Sequence, residues 1–399
     1  MRRFASFIRQ CQAVSLYNLQ TVWRRRGLSA VAIFGVAGVV GVMVAVLSMA
    51  AGFRAVVTGQ ARDDVAVVLR GGATAESSSI LSREEIAVLQ EPPGVARGSA
   101  GLLVSPELFV IIDRPKIGVG TDANVPLRGV EAAAFEVRDG IELVEGRRFE
   151  PGRNEIIVGV AAAAAFEGLL VGETIDVGRA SWEVVGHFTA GGGVAESEIW
   201  TDTRVLQQMY QRGNSYNSAL VRLTDPAAFE EYERALENDP RLNVGVQTQR
   251  AYQAAQSAPM EVFISILGWI IVAMMSAGAV FAALNTMYAA VSARAREVAT
   301  LRALGFARLP VVVSVMIESL AFGIVGAVLG GAASWALFDG FRASTINFAS
   351  FSQVAFAFQV TPDLLTQGIT LALVIGGIGG LFPAIGAARR SVVGALREP

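Results

Sequence analysis

Four long apolar runs, each enough to cross a lipid bilayer, limit what this chain can fold into. Residues 28–51 carry no charge, and at 1.5 Å per residue such a helix spans the roughly 30 Å hydrocarbon core of a bilayer. Residues 262–284 and 364–388 are likewise uncharged, and residues 311–338 hold one charge, Glu318. Only 17% of the chain is charged, against about a quarter in soluble domains. All four runs are rich in Gly and Ala. Gly326 and Gly330 form one GxxxG pair and Gly376 and Gly380 another, while Ala37–Gly41 and Gly278–Ala282 are small-xxx-small variants. Such spacing predicts helices whose backbones approach closely. Ser48-Met49-Ala50 resembles a signal-peptidase site, but the first run far exceeds the ~7–15 residues of a signal-peptide apolar region, so a retained span is expected.

Orientation follows from the arginines. Arg2, Arg3, Arg9, Arg24, Arg25 and Arg26 precede the first run, Arg294, Arg296, Arg302 and Arg308 lie between the second and third, and Arg389, Arg390 and Arg397 follow the fourth. Residues 52–261, by contrast, hold 30 of the 35 acidic residues and 19 of the 33 basic ones. Both termini and the connection around 285–310 are therefore expected in the cytoplasm, with the acidic segment outside. The expected fold class is a membrane α-helical protein with four transmembrane helices and an inserted α+β extracytoplasmic domain. Its parts are a cytoplasmic segment (1–27), a first transmembrane helix (28–53), an outer domain (54–258), and a region (259–399) holding spans 262–284, 311–338 and 364–388.

The outer domain is large enough for its own core. Strand-like runs fall at 65–69, 109–112, 155–158, 173–177, 182–188, 219–223 and 242–247. Ser82-Arg83-Glu84-Glu85 reads as a capping box. Asp225-Pro226 reads as an N-cap with Pro at the first helical position, opening a helix through Glu237. A helix starting near Gln249 is expected to run directly into the second span, with Pro259 as its one place to kink.

Catalytic signatures are missing: there is no HExxH, GxSxG or CxxC. A Walker A loop needs Lys between Gly and Ser or Thr, and the one Lys, Lys116, stands between Pro115 and Ile117. No catalytic residue, no metal site and no cofactor bound by this chain is expected. Cys11 is alone, and His187 reads as a packed core residue. The outer carboxylates read as a solvated acidic surface. No basic face points to nucleic acid.

The most informative stretch runs from Asn285-Thr286-Met287 through Arg294 and Arg296-Glu297-Val298-Ala299-Thr300-Leu301-Arg302-Ala303-Leu304-Gly305. Val291, Val298, Leu301 and Leu304 fall near one side of a helix, Arg294, Arg296 and Glu297 are polar, and Gly305 marks its end. Such a helix near 293–304 can lie in the membrane interface or dock a partner. Together with Glu318-Ser319-Leu320, the stretch resembles the FtsX-like permease domain of the MacB/LolC/LolE class of ABC transporters. Asn154-Glu155-Ile156-Ile157-Val158-Gly159, Val171-Gly172-Glu173-Thr174, Trp182-Glu183-Val184-Val185-Gly186 and Glu198-Ile199-Trp200 resemble the MacB-like periplasmic core domain. Asn18-Leu19 before the arginines and Gly52-Phe53 after the first run add to the likeness.

The resemblance implies a permease subunit in the bacterial inner membrane, its large domain periplasmic. It implies ATP and Mg²⁺ on a separate cytoplasmic ATPase, contacted through Arg294, Arg296, Glu297, Val298, Leu301, Arg302 and Leu304. It further implies a permease homodimer or related heterodimer, a periplasmic adaptor and contact with membrane lipid. The alternative function is an FtsX-type regulator of cell-wall hydrolases. Leu301 is the expected anchor of the docking helix. Glu318, about two turns inside its span, is expected to have a partner, with Arg302 or Arg308 in reach, and a coupling role.

The topology is tested by single cysteines at Gly27, Ala295 and Ser215. In intact cells the first two should resist an impermeant thiol reagent and the third should react. Labelling at Ala295 from outside overturns the arrangement.

Overall fold

The computed structural model describes residues 10–12, 14–15, 26–99, 101–118, 120–178, 180–346 and 353–389. Arg2, Arg3, Arg9, Asn18, Leu19, Arg24, Arg25, Arg390 and Arg397, used above, lie outside the described residues. The chain divides into two compact units. One comprises the chain up to Ala51, Phe263–Phe341 and the chain from Phe358. The other comprises Gly52–Val262 and Arg342–Ala357.

The first unit is helical. Its elements are α1 (Arg26–Thr58), α2 (Gln249–Ala293), α3 (Ala295–Ala303), α4 (Arg308–Phe338) and α5 (Pro362–Arg389). Of these, α1, α2, α4 and α5 are long and apolar enough to cross a membrane. Helix α2 starts at Gln249 and runs directly through the span 262–284, as expected, and continues to Ala293, because hydropathy drops at Asn285 while helix propensity does not. Pro259 lies inside α2 without ending it. Pro362 opens α5 at the position where a missing N–H costs nothing.

Small residues seat these helices against backbone. A Cβ on Gly326 would lie 2.8 Å from the Ile33 carbonyl oxygen, and one on Gly330 2.3 Å from that of Ala37, so both face α1. Gly376 and Gly380 face α4: their Cβ atoms would stand 3.0 Å from the Ser319 carbonyl oxygen and 2.6 Å from Ser319 Cβ. Two hydroxyls tie the same contacts, Ser319 Oγ donating to the Gly376 carbonyl and Ser334 Oγ to that of Gly41, each at 2.7 Å.

The second unit is built on a ten-stranded sheet. Its strands are β1 (Val65–Arg70), β2 (Val104–Pro115), β3 (Asp122–Val130), β4 (Ile141–Gly146), β5 (Glu155–Gly159), β6 (Thr174–Val177), β7 (Ala180–Ala190), β8 (Ile199–Asp202), β9 (Ser218–Arg222) and β10 (Val244–Thr248). The order is β10-β1-β9-β2-β3-β8-β5-β7-β4, with β6 also on β7. The long β2 joins two halves: residues 104–107 pair with β9 and residues 108–115 with β3. Side-chain alternation directs Leu108, Val110 and Ile112 into one core cluster with Trp182, while Ala66 and Val68 enter a second with Tyr232 and Leu236.

The helix Phe229–Glu237 connects β9 and β10, which flank β1 and both run antiparallel to it. They are therefore parallel to each other, a β-α-β unit split by an intervening strand. Both expected caps are present. Ser82 Oγ accepts from Glu85 N–H while the Glu85 carboxylate accepts from Ser82 N–H. Asp225 Oδ1 accepts from Ala227 and Ala228.

The connection between α4 and α5 holds an antiparallel strand pair, β11 (Arg342–Ile346) with β12 (Gln353–Ala357), and these strands belong to the sheet unit. Val354 and Phe356 are buried there. Phe356 meets Phe53 edge-on at 5.7 Å, and Ala355 N–H donates to Ser197 Oγ at 3.2 Å.

Gly330→Ala should force α1 away from α4 and lower the thermal midpoint of the detergent-solubilised chain, with an overpacking cost of ~1–3 kcal/mol. Gly377, whose Cβ would meet nothing within 4 Å, provides the control. Gly377→Ala should melt at or above the parent, because Ala is the better helix former.

Candidate functional site

The connection from α2 to α4 gathers most of the residues that the sequence marks for partner contact. Helix α2 ends at Ala293, Arg294 leaves helical geometry with φ −106° and ψ 9°, and α3 begins at Ala295. At its far end Gly305 N–H donates to the Arg302 carbonyl and Phe306 N–H to the Leu301 carbonyl, both at 3.1 Å. This is a Schellman closure. It needs the left-handed backbone that Gly305 adopts at φ +98° and that a residue with a Cβ resists.

The faces of α3 follow the helical wheel except at its two ends, Arg294 and Leu304. Arg296, Glu297, Thr300 and Ala303 are exposed, and Leu304 is 74% exposed. Leu301 and Arg302 are half-buried, Ala299 is buried, and Val298 packs against a cluster with Val291, Val311 and Val315. Arg294, grouped above with the polar residues, is a correction: it is 4% exposed. Its Nη1 donates to Glu318 Oε2 of α4 at 3.0 Å, and Glu318 is buried too. Beside the expected Arg302 and Arg308, Arg294 is a partner of Glu318 that sequence reasoning missed, and its position at the end of an apolar helix could have signalled it. A buried pair adds little net stability, because desolvation offsets attraction. Removing one partner is different, since it strands a charge at a cost of ~3–5 kcal/mol.

A second charged group lies within the sheet unit, where the outer carboxylates were read as solvated surface. Asp64, Glu107, Glu155, Glu198 and Asp202 are buried, and Glu76 is nearly so. Arg128 of β3 uses all five N–H donors: two to Glu76, two to Glu198 and one to Glu107, at 2.7–3.0 Å. Arg138 also binds Glu107, and Trp200 Nε1 donates to Glu198 at 2.7 Å. With no donor left, Arg128 cannot take up an incoming anion, so the cluster ties strands together. Burial pushes the Glu76 carboxyl up, but the charge and hydrogen bonds of Arg128 outweigh it and hold Glu76 below the ordinary range. Glu155 of β5 is held down at about 2 by paired hydrogen bonds from Arg147, against the opposing effect of burial. No local sequence signal unites residues 76, 107, 128 and 198; the sheet order does.

His187 is buried in β7, with Nε2 2.7 Å from the Leu169 carbonyl oxygen. That is the packed role expected of it.

The sequence profile of the MacB-like periplasmic core domain matches residues 29–239, and that of the FtsX-like permease C-terminal domain matches residues 269–392. The chain belongs to the MacB/FtsX-type family of ABC transporter permeases. Among solved structures it is similar to the extracellular domain of the noncanonic ABC-type transporter YknZ from Gram-positive bacteria. The identity is 16% over 46% of this chain and 100% of that one, with a TM-score of 0.35. It is also similar to the periplasmic region of MacB from Actinobacillus actinomycetemcomitans, at 12% identity over 48% of this chain and 92% of that one, with a TM-score of 0.37. No curated protein matches the chain at a significant level.

The Arg128 cluster predicts an inverted pH response. In the parent, a carboxylate with a lowered folded pKa contributes stability above its unfolded value of about 4.3 and loses it as pH falls. In Arg128→Met, Glu76 loses its main counter-charge, and burial, the opposing effect, then raises its pKa above the unfolded one. Stability should be ~3–5 kcal/mol lower at pH 7 and should partly recover toward pH 5, whereas the parent gains nothing. Melts of the full chain followed by the fluorescence of buried Trp182 and Trp200 test this. A loss independent of pH would mean that the cluster is not fully ionised.

Proposed function

We propose that this chain is the membrane subunit of an ABC exporter or extrusion system, driven by a cytoplasmic ATPase on a separate polypeptide. ATP and Mg²⁺ then bind that partner and no cofactor binds this chain. In this reading α1, α2, α4 and α5 cross the bacterial inner membrane. Both termini and α3 lie in the cytoplasm, and the sheet domain is periplasmic. The working unit is a pair of permeases, a homodimer or related heterodimer, with an ATPase under each. Closure of the ATPases moves α3, and the motion reaches the outer domain through the helices. The work is done there on a lipoprotein, lipid, peptide or drug, with a periplasmic adaptor.

The observation that carries the reading is α3 itself. It is a short helix, closed sharply by Gly305, that presents a nearly bare leucine among exposed charges, within the region matching the FtsX-like permease profile. A partner groove would bury Leu304 first and Leu301 further. Fully burying a leucine contributes ~1.5–3 kcal/mol, and truncating a central anchor can cost 2 kcal/mol or more in binding. Rim charges such as Arg296 mainly affect association rate and salt dependence.

The test is co-purification of the ATPase subunit with Leu304→Ala, Leu301→Ala and Arg296→Ala chains. Leu304→Ala should weaken the complex about tenfold, equivalent to ~1.4 kcal/mol, at unchanged expression. Arg296→Ala should weaken it less, and less still at high salt. If both leucine variants retain the ATPase as the parent does, α3 is not the docking site.

A further inference from the structure

We infer that the Arg294–Glu318 pair sets the direction in which α3 leaves α2, so that these two residues position the docking surface without belonging to it. The inference rests on the docking role proposed above for α3, but its first observation does not need it.

The local sequence gives no reason for the helix to break where it does. Ser292-Ala293-Arg294-Ala295-Arg296-Glu297 contains neither Pro nor Gly, the residues to which sharp helix bends are ordinarily traced. Arg294 also makes no side-chain cap for α3. Left to propensity, α2 would continue to the stop at Gly305. Instead the ladder tightens at one residue. Arg294 N–H donates to the Val291 carbonyl at 3.2 Å, three residues back, and the next turn opens with Val298 N–H on the Arg294 carbonyl at 3.0 Å.

What distinguishes that residue is its tertiary contact. The guanidinium reaches Glu318 at 3.0 Å, with side chains only 5% and 4% exposed. Neither charge can be left alone at such a depth, so the pair fixes where the backbone at 294 must lie relative to α4. Val298, one turn on, then packs into the cluster of Val291, Val311 and Val315. The bend is thus imposed from α4. A docking helix anchored by a buried ion pair presents Leu304, Arg296 and Glu297 in one orientation rather than several, and pre-ordering of this kind raises affinity by lowering the cost of binding.

The experiment uses the full chain in a Cys11→Ser background, with spin labels at Thr300 of α3 and Ile378 of α5, both exposed. Pulsed dipolar spectroscopy should give the parent one narrow distance. Glu318→Gln should lose it. Arg294→Gln/Glu318→Gln, which removes both charges and leaves two amides able to bond each other, should regain it. Glu297→Gln, the same charge change on an exposed residue of α3, should leave the distance unaltered.

A parent-like distance in Glu318→Gln overturns the inference, and so does a double variant as broad as the single one. If Glu318→Gln fails to insert, the double variant decides alone: a narrow distance supports the pair and a broad one refutes it. In the same preparations Glu318→Gln should lower affinity for the ATPase subunit about tenfold, with recovery in the double variant. A lost distance with undiminished ATPase binding would keep the positioning pair and refute the docking role of α3.

Discussion

The long helices present apolar side chains outward: Phe34, Phe281, Trp335 and Leu337 are all more than half exposed. In an apolar surround, helices of this kind gain nothing by hiding such groups from one another, so their association must come from close approach and polar contacts. The arrangement of α1, α4 and α5 depends on that constraint. Gly326, Gly330 and Gly376 bring backbone to backbone, Gly380 makes room for the Ser319 side chain, and Ser319 and Ser334 place hydroxyls on carbonyls of the facing helix at those contacts. A methyl group at Gly330 would meet a carbonyl oxygen, which cannot rotate away as a side-chain terminus can.

Features governed by nearest neighbours were legible in the sequence. Short apolar runs predicted β1, β5, β7 and β9 to within a few residues, because these strands are largely buried on both faces. Ser82 and Asp225 announced their helix starts through the hydrogen bonds they make. Gly305 announced a stop through the backbone that only glycine adopts readily. Hydropathy located the long helices, and at α2 it marked the end of the apolar run rather than the end of the helix at Ala293, since it reports where an apolar surround would end and not where backbone hydrogen bonding ends. Features that depend on partners distant in sequence were not legible. The segment forming β11 and β12 offers only the brief alternation of Val354, Phe356 and Phe358 as a strand signal, and its strands pair with each other and bury Val354 and Phe356 within the sheet unit. Glu76, Glu107 and Glu198 have no sequence feature that separates them from the solvated carboxylates around them.

Both units solve the same problem with arginine. Arg294 neutralises the only acidic group in the third apolar run, and Arg128 serves three carboxylates at once. A lysine at 128 would offer three donors from a single point. The guanidinium offers five from a flat fork and can lie between acids on three sides. Such burial is weak evidence for stability, but it is strong evidence for geometry: each acid can be satisfied in only one arrangement of its strand or helix. The break at Arg294 is the backbone expression of that rule, and the junction of the two sheet halves near Glu107 in β2 is another.

The boundary between the units has the same character. The chain crosses it inside α1, inside α2 and at the two flanks of the β11–β12 strand pair. The first two crossings are continuous helix. At the strand pair, Gly340 N–H donates to the Phe358 carbonyl at 3.0 Å and Phe358 N–H to the Phe341 carbonyl at 2.9 Å, so the ladder continues past the strands. Phe358 also stacks on Phe338 with ring centroids 6.1 Å apart. Domains that move independently are ordinarily joined by exposed, weakly bonded linkers, which absorb displacement as slack. Here two of the crossings lie within the continuous helices α1 and α2, and lengthening either helix would break its backbone hydrogen bonds. Under the proposed function that is the required property, because a displacement started at α3 is useful outside the membrane only if no segment on the way can yield to it.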